Sequence, residues 1–194
     1  IREYRPGDHL SRIHWKLTGK FGEILIKEPG LPVRHSFLIL LDTSIPFGVQ
    51  QKAEVTDALT EIVMSLCQRM TEEEITYEVG WQDYDSGSFF HSRVATLDEL
   101  AGVMNKLLHT RHQRDDVDAI SYFAESCGEN EFEHIVYISR FFSANFEPFS
   151  REAHATGIIC TYDTNVAAAL ETSRLNLHFC TPENYEKELF ALAI

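Results

Sequence analysis

Residues 36–42 read Ser-Phe-Leu-Ile-Leu-Leu-Asp, five apolar side chains in a row closed by an acid. A strand covered on one face alternates apolar with polar residues, whereas an unbroken apolar run of this length fits a central parallel strand covered on both. Such a strand needs helices on either side, and the chain after it supplies them. Val55, Leu59, Ile62, Val63, Leu66 and Met70 recur at spacings of three and four, which predicts a helix over 50–70 with one buried face. Pro46 and Gly48 break the chain between strand and helix.

The alternation continues to the end of the chain. Residues 74–82 predict a strand with Ile75, Tyr77 and Val79 on one side, 83–87 a turn, and 88–92 a short return strand. Thr96 and Glu99 have the spacing of a capping box, opening a helix through Leu100, Val103, Met104, Leu107 and Leu108. A polar run over 110–116 precedes a second helix over 118–127. Strands are expected at 134–139, 157–162 and 175–180, a helix within 146–155, and a terminal helix opened by Thr181 and Pro182. Strand–helix alternation of this kind predicts an α/β fold, a three-layer, mostly parallel, doubly wound sheet over 36–194.

Residues 1–35 stand outside that rhythm and read as an N-terminal extension packed on the body. Residues 22–28 predict a strand. Leu10, Ile13, His14 and Leu17 fit a helix that Asp8 would cap, while Ile13, Trp15 and Leu17 fit a strand. Residue 1 is Ile, which suggests a piece of a longer protein whose upstream part is missing.

Charge narrows the partners. The first 34 residues hold seven Lys/Arg against four Asp/Glu, and the rest hold ten against twenty-six. A body this acidic repels phosphate backbones, so nucleic acid is not an expected partner. No apolar run approaches the ~20 residues needed to span a bilayer, so the fragment itself is expected to be soluble. Cys67, Cys127, Cys160 and Cys180 are widely spaced with no C-x-x-C pair, a pattern of reduced thiols rather than a zinc site or disulfide framework.

Chemistry in an open α/β sheet sits beyond the carboxyl ends of the strands. There Asp42 and Ser44 could offer a carboxylate and a hydroxyl to a hard divalent cation, although an acid ending a strand also serves as an ordinary turn residue. Tyr137 near the end of the 134–139 strand and Phe141, Phe142, Phe146 and Phe149 after it form an aromatic cluster. They either roof the core or form an apolar docking patch. No phosphate-binding glycine loop, nucleophile elbow or zinc-protease motif is present. His109 and His112 are expected in a solvated loop.

Arg2, Glu3, Tyr4, Pro6, Gly7 and Asp8, then Arg12, Ile13, His14, Trp15 and Lys16, then Lys27 and Glu28, resemble the signature of the domain of unknown function 58 family. In that family the signature leads into a von Willebrand factor A-like domain, and residues 38–44 follow here at the expected distance. The resemblance covers essentially the whole chain. It implies a parent tethered by an N-terminal transmembrane hairpin, with this region on the cytoplasmic face, and a MoxR-type AAA+ ATPase as partner. The charged signature residues also have the look of an acid/base cluster, since His14 titrates near neutrality. The structural reading, in which Tyr4, Ile13 and Trp15 anchor the segment, is preferred.

The resemblance also implies a metal-ion-dependent adhesion site, and the residues depart from it. Asp42 and Ser44 match, but Pro46 stands in place of a second Ser, residues 113–118 offer no Thr, and Ser139 is followed by Arg140 where an Asp is expected. Arg140 is therefore expected to pair with Asp42 and displace the metal. The leading expectation is a non-enzymatic adaptor without a cofactor, binding a protein through Asp42, Thr43, Ser44, Phe47, Asp116, Arg140, Phe141, Phe142 and Phe146. One alternative is a Mg²⁺-dependent ligand binder holding the ion on Asp42 and Ser44. Another is a metal-dependent hydrolase using Asp42 with Asp115, Asp116 or Asp118 and His14 as base.

Overall fold

The computed structural model describes residues 2–3, 25–26, 35–127, 132–149, 153–163 and 176–189. The chain divides into two units, Ile1–Arg34 and His35–Ile194. In the first, β1 (Arg2–Glu3) pairs antiparallel with β2 (Leu25–Ile26). The remaining signature residues, from Tyr4 to Lys16 and at Lys27 and Glu28, lie outside the described residues, as does the ambiguous piece around Ile13.

The second unit is built on β3 (His35–Leu41), the expected apolar strand. It lies between β8 (Phe132–Ser139) and β5 (Tyr77–Asp83), parallel to both. Outward on one side come β9 (His154–Cys160) and β10 (Asn176–Cys180), both parallel. On the other side β6 (Ser88–Val94) returns antiparallel to β5. The result is a six-stranded, mostly parallel sheet in the order β10-β9-β8-β3-β5-β6. A two-residue parallel pair, β4 (Ser44–Ile45) with β7 (Gln113–Arg114), extends beyond the carboxyl end of β3.

Helices cover both faces, which matches the unbroken apolar run from Phe37 to Leu41 in β3. Ile39 and Leu41 join Val79, Trp81, Val136 and Ile138 in a core closed by α1 (Ala53–Glu72) and α2 (Leu97–Leu108). Leu38 and Leu40 point the other way, into a core with Ile135, Tyr137 and α3 (Ala119–Cys127). The period of two along each strand thus sorts side chains between two cores. Among the described residues no helix is long and apolar enough to cross a membrane.

The capping box opens α2 as expected. Thr96 Oγ1 accepts from Glu99 N at 3.3 Å, and Glu99 Oε2 accepts from Thr96 N at 3.0 Å. The helix expected within 146–155 is there as α4 (Phe146–Phe149). One boundary differs from expectation, since β9 begins at His154 rather than 157. Gly157 is not a strand opener but a close-approach site, since a Cβ there would lie 2.5 Å from Leu177 Cδ2 and 3.2 Å from Phe146 Cε1. The terminal helix α5 (Tyr185–Leu189) starts after a turn in which Thr181 donates to Asn184 Oδ1 from both N, at 2.7 Å, and Oγ1, at 3.0 Å.

Candidate functional site at the carboxyl ends of the central strands

Asp42 follows β3 at full burial, and its backbone N–H bonds Ile138 O of β8 at 2.8 Å. Four donors converge on its carboxylate. Oδ1 accepts from Ser44 N at 2.9 Å and Ser44 Oγ at 2.6 Å, and Oδ2 from Tyr137 OH at 2.5 Å and Ala119 N at 3.4 Å. Burial drives its pKa up to about 6, and hydrogen bonds from Ser44, Tyr137 and Ala119 work against that rise. Thr43, the intervening residue, donates to Gln82 O at 2.8 Å and ties the loop to β5.

A second buried acid lies nearby. Asp118 accepts from Ser143 Oγ, from Asn145 Nδ2 at 2.9 Å and from Ser121 N at 2.8 Å. Burial works to raise its pKa, but those donors outweigh it and hold the carboxyl below its ordinary value. Asp115, less buried, accepts from Tyr122 OH at 2.6 Å and Tyr84 OH at 2.9 Å.

The expected Asp42–Arg140 ion pair does not form. Arg140 Nη2 donates to His112 Nδ1 at 2.6 Å and to Thr56 Oγ1 of α1 at 3.1 Å. The alternation of the strands explains this. Asp42 continues the Leu38–Leu40 side, toward α3 and Tyr137, whereas Arg140 continues the Val136–Ile138 side, toward α1. The two charges lie on opposite faces of the sheet. Arg140 Nε and Nη1 are buried without a hydrogen-bond partner, and burial lowers its pKa to about 10. His112, expected in a solvated loop, is half-buried there beside Arg140, and burial, aided by the charge of Arg140, pushes its imidazole down to about 3. It is neutral and accepts through Nδ1.

These contacts bear on the metal expectation. All four acceptor positions of Asp42 are occupied by protein donors, and Ser44 spends its hydroxyl proton on the same carboxylate. A hard cation at Asp42 would have to displace these donors to gain its oxygen ligands. Among the described residues, no three His, Cys, Asp or Glu side chains group to hold a metal ion. For the hydrolase alternative, Asp115 and Asp118 are engaged as above, Asp116 Oδ1 accepts from Phe47 N at 3.0 Å, and His14 lies outside the described residues.

The partner-binding expectation divides. Asp42, Thr43, Ser44, Arg140 and Phe146 are buried and cannot touch a partner in this arrangement. Phe146 stacks on Tyr137 with ring centroids 5.3 Å apart, so it roofs the core, and Phe141 and Phe142 are half-buried. Asp116 is exposed, and Phe47 is 75% exposed. Phe47 sits in a tight turn closed by Val49 N bonding Pro46 O at 3.1 Å, with Gly48 at φ 92°, the left-handed value that a type II turn requires. Arg114 Nη1 braces that turn by donating to Pro46 O at 3.0 Å and Val49 O at 2.7 Å. Beside it lies a cleft of about 430 Å³ lined by Lys52, Phe141, Thr161 and Tyr162, among others.

Compared with family models and with characterised proteins, the sequence matches none.

Sequence reasoning missed Tyr137 and His112 as members of this site, while Asp118 was among its candidate acids. For Tyr137 the signal was available: alternation along 134–139 sets it on the side opposite Val136 and Ile138, the side that Asp42 takes.

Proposed function

We propose that this domain is a von Willebrand factor A-like, non-enzymatic adaptor that binds a protein through the rim around Phe47. The observation that carries this reading is the braced turn. A large apolar side chain three-quarters exposed is held outward by Arg114 and Asp116, so little conformational freedom remains to be lost on binding. Aromatic anchors of this kind dominate interface energetics. Asp116, also exposed, places a carboxylate beside it. The closed hydrogen-bond set of Asp42 supports a role without a metal.

The resemblance to the domain of unknown function 58 family supplies the partner class, a MoxR-type AAA+ ATPase, and a membrane-tethered parent with this domain on the cytoplasmic face. The test is calorimetric titration of a MoxR-type ATPase from the same organism into the domain, with Phe47→Ser beside it. Saturable binding weakened by about tenfold or more in the variant is expected. Binding untouched by Phe47→Ser overturns the rim, and absence of binding overturns the partner. Titration of Mg²⁺ and Mn²⁺, with Asp42→Ala as control, separates the adaptor from a metal-dependent binder or hydrolase. Saturable heat lost in Asp42→Ala would revive the latter two.

A further inference from the structure

A second cluster of titratable side chains sits on the face of the sheet covered by α3, toward its antiparallel edge. Cys127 closes α3, and its Sγ lies 3.5 Å from His91 Nδ1 of β6. His91 Nε2 lies 2.5 Å from Glu78 Oε2 of β5. The sheet register creates this row: Glu78 pairs with Arg93 and Gly80 with His91, so Glu78 and His91 are diagonal neighbours on one face. Phe123, one turn back along α3, meets the imidazole edge-on with centroids 5.7 Å apart and limits its rotation.

The order of groups is thiol, imidazole, carboxylate. Glu78 Oε2 lies off the line of a hydrogen bond to Nε2, so it acts on the ring through its charge, which favours the proton at Nε2 and leaves the Nδ1 lone pair toward the sulfur. Burial and the charge of Glu78 both push the Cys127 thiol up, so near neutrality it carries its proton and needs a base to react. Access also singles this cysteine out. Cys67, Cys160 and Cys180 are buried, whereas Cys127 is only half-buried, and none of the four is in a disulfide.

We infer that Cys127 is a nucleophilic thiol served by His91 as general base and Glu78 as positioning residue, and that it reacts with low-molecular-weight disulfides. In the step, the Sγ proton passes to His91 Nδ1 as Sγ attacks one sulfur of the disulfide. A new S–S bond to Cys127 forms, the old one breaks, and its electron pair departs on the leaving thiolate, which is then protonated. The protein thiol is oxidised to a mixed disulfide and half of the reagent is reduced to thiol. Residue 127 thereby becomes a site of reversible S-thiolation.

The test is the rate of mixed-disulfide formation with glutathione disulfide at neutral pH, located by peptide mass spectrometry. One equivalent on Cys127 is expected, absent in Cys127→Ser. His91→Asn is expected to slow it about tenfold or more. Glu78→Gln should slow it less, and Glu78→Asp should restore most of the rate. An unchanged rate in folded His91→Asn, or labelling at a different cysteine, overturns the inference. If His91→Asn does not fold, the wild-type protein still decides the matter. Cys127 should react faster in the native protein than in the urea-unfolded chain at the same pH, and a slower native rate overturns it.

Discussion

Tyr137 donates its phenolic proton to Asp42 Oδ2 at 2.5 Å, so β8 supplies the donor that closes a carboxylate presented by β3. This bond ties the two central strands together at the point where a ligand site would otherwise open. Tyr137→Phe is expected to cost roughly 1.5–3 kcal/mol, the range for a hydrogen bond to a charged group. Urea unfolding at pH 7 measures it. A loss below about 0.5 kcal/mol would mean that the bond contributes no more than an ordinary surface contact.

Asp42 and His112 tilt stability with pH in opposite directions. The folded pKa of Asp42, about 6, lies above the ordinary 3.8, so the native state holds a proton that the unfolded chain has released. Stability from this group is present at low pH and is lost as pH rises toward 6, by about 3 kcal/mol for a shift of about two units. His112 falls from 6.5 to about 3, so the unfolded chain binds the proton first and stability is lost as pH drops below 6.5. Unfolding curves from pH 4 to 7 check both. Relative to Asp42→Asn, the wild type should lose ground as pH rises. Relative to His112→Asn, it should lose ground as pH falls.

Arg140 is a buried cation with two nitrogens lacking partners. Taking one member out of a buried polar cluster leaves its partners unsatisfied, here His112 Nδ1 and Thr56 Oγ1. Arg140→Met is therefore expected to lower stability by about 1–3 kcal/mol, read as a lower thermal midpoint. It should also let the His112 pKa climb, because one of the two causes of its depression is removed. An unchanged or higher midpoint would show that burying the guanidinium costs as much as its contacts return.

Two glycines make a matched pair. A Cβ on Gly80 would lie 2.7 Å from Phe89 Cε1 and 2.9 Å from the carbonyl oxygen of Phe90, so Gly80→Ala must part β5 from β6. A loss of about 1–3 kcal/mol is expected. A Cβ on Gly102 in α2 meets nothing within 4 Å, and Gly102→Ala should gain about 0.5–1 kcal/mol from helix propensity alone. Thermal unfolding of both variants gives the sign of each.

What the sequence by itself determined is local and periodic. The run over 37–41, the three-and-four spacing from Val55 to Met70, the Thr96–Glu99 cap and the Pro46–Gly48 break each specify their element, because each depends on residues a few positions apart. The residue types at the carboxyl ends of the strands were legible for the same reason. Only the tertiary structure decided the partners. Asp42 and Tyr137 are 95 positions apart, and Arg140 and His112 are 28 apart. Opposite charges suggested that Asp42 and Arg140 attract, but the two-residue pleat sends them to opposite faces of the sheet, where nearby donors satisfy Asp42 and the acceptors His112 and Thr56 engage Arg140. Cys127, His91 and Glu78 carry no motif in the chain. They meet because the β5–β6 register and the path of α3 bring three separate elements to one face, an arrangement that no pattern within any one of them encodes.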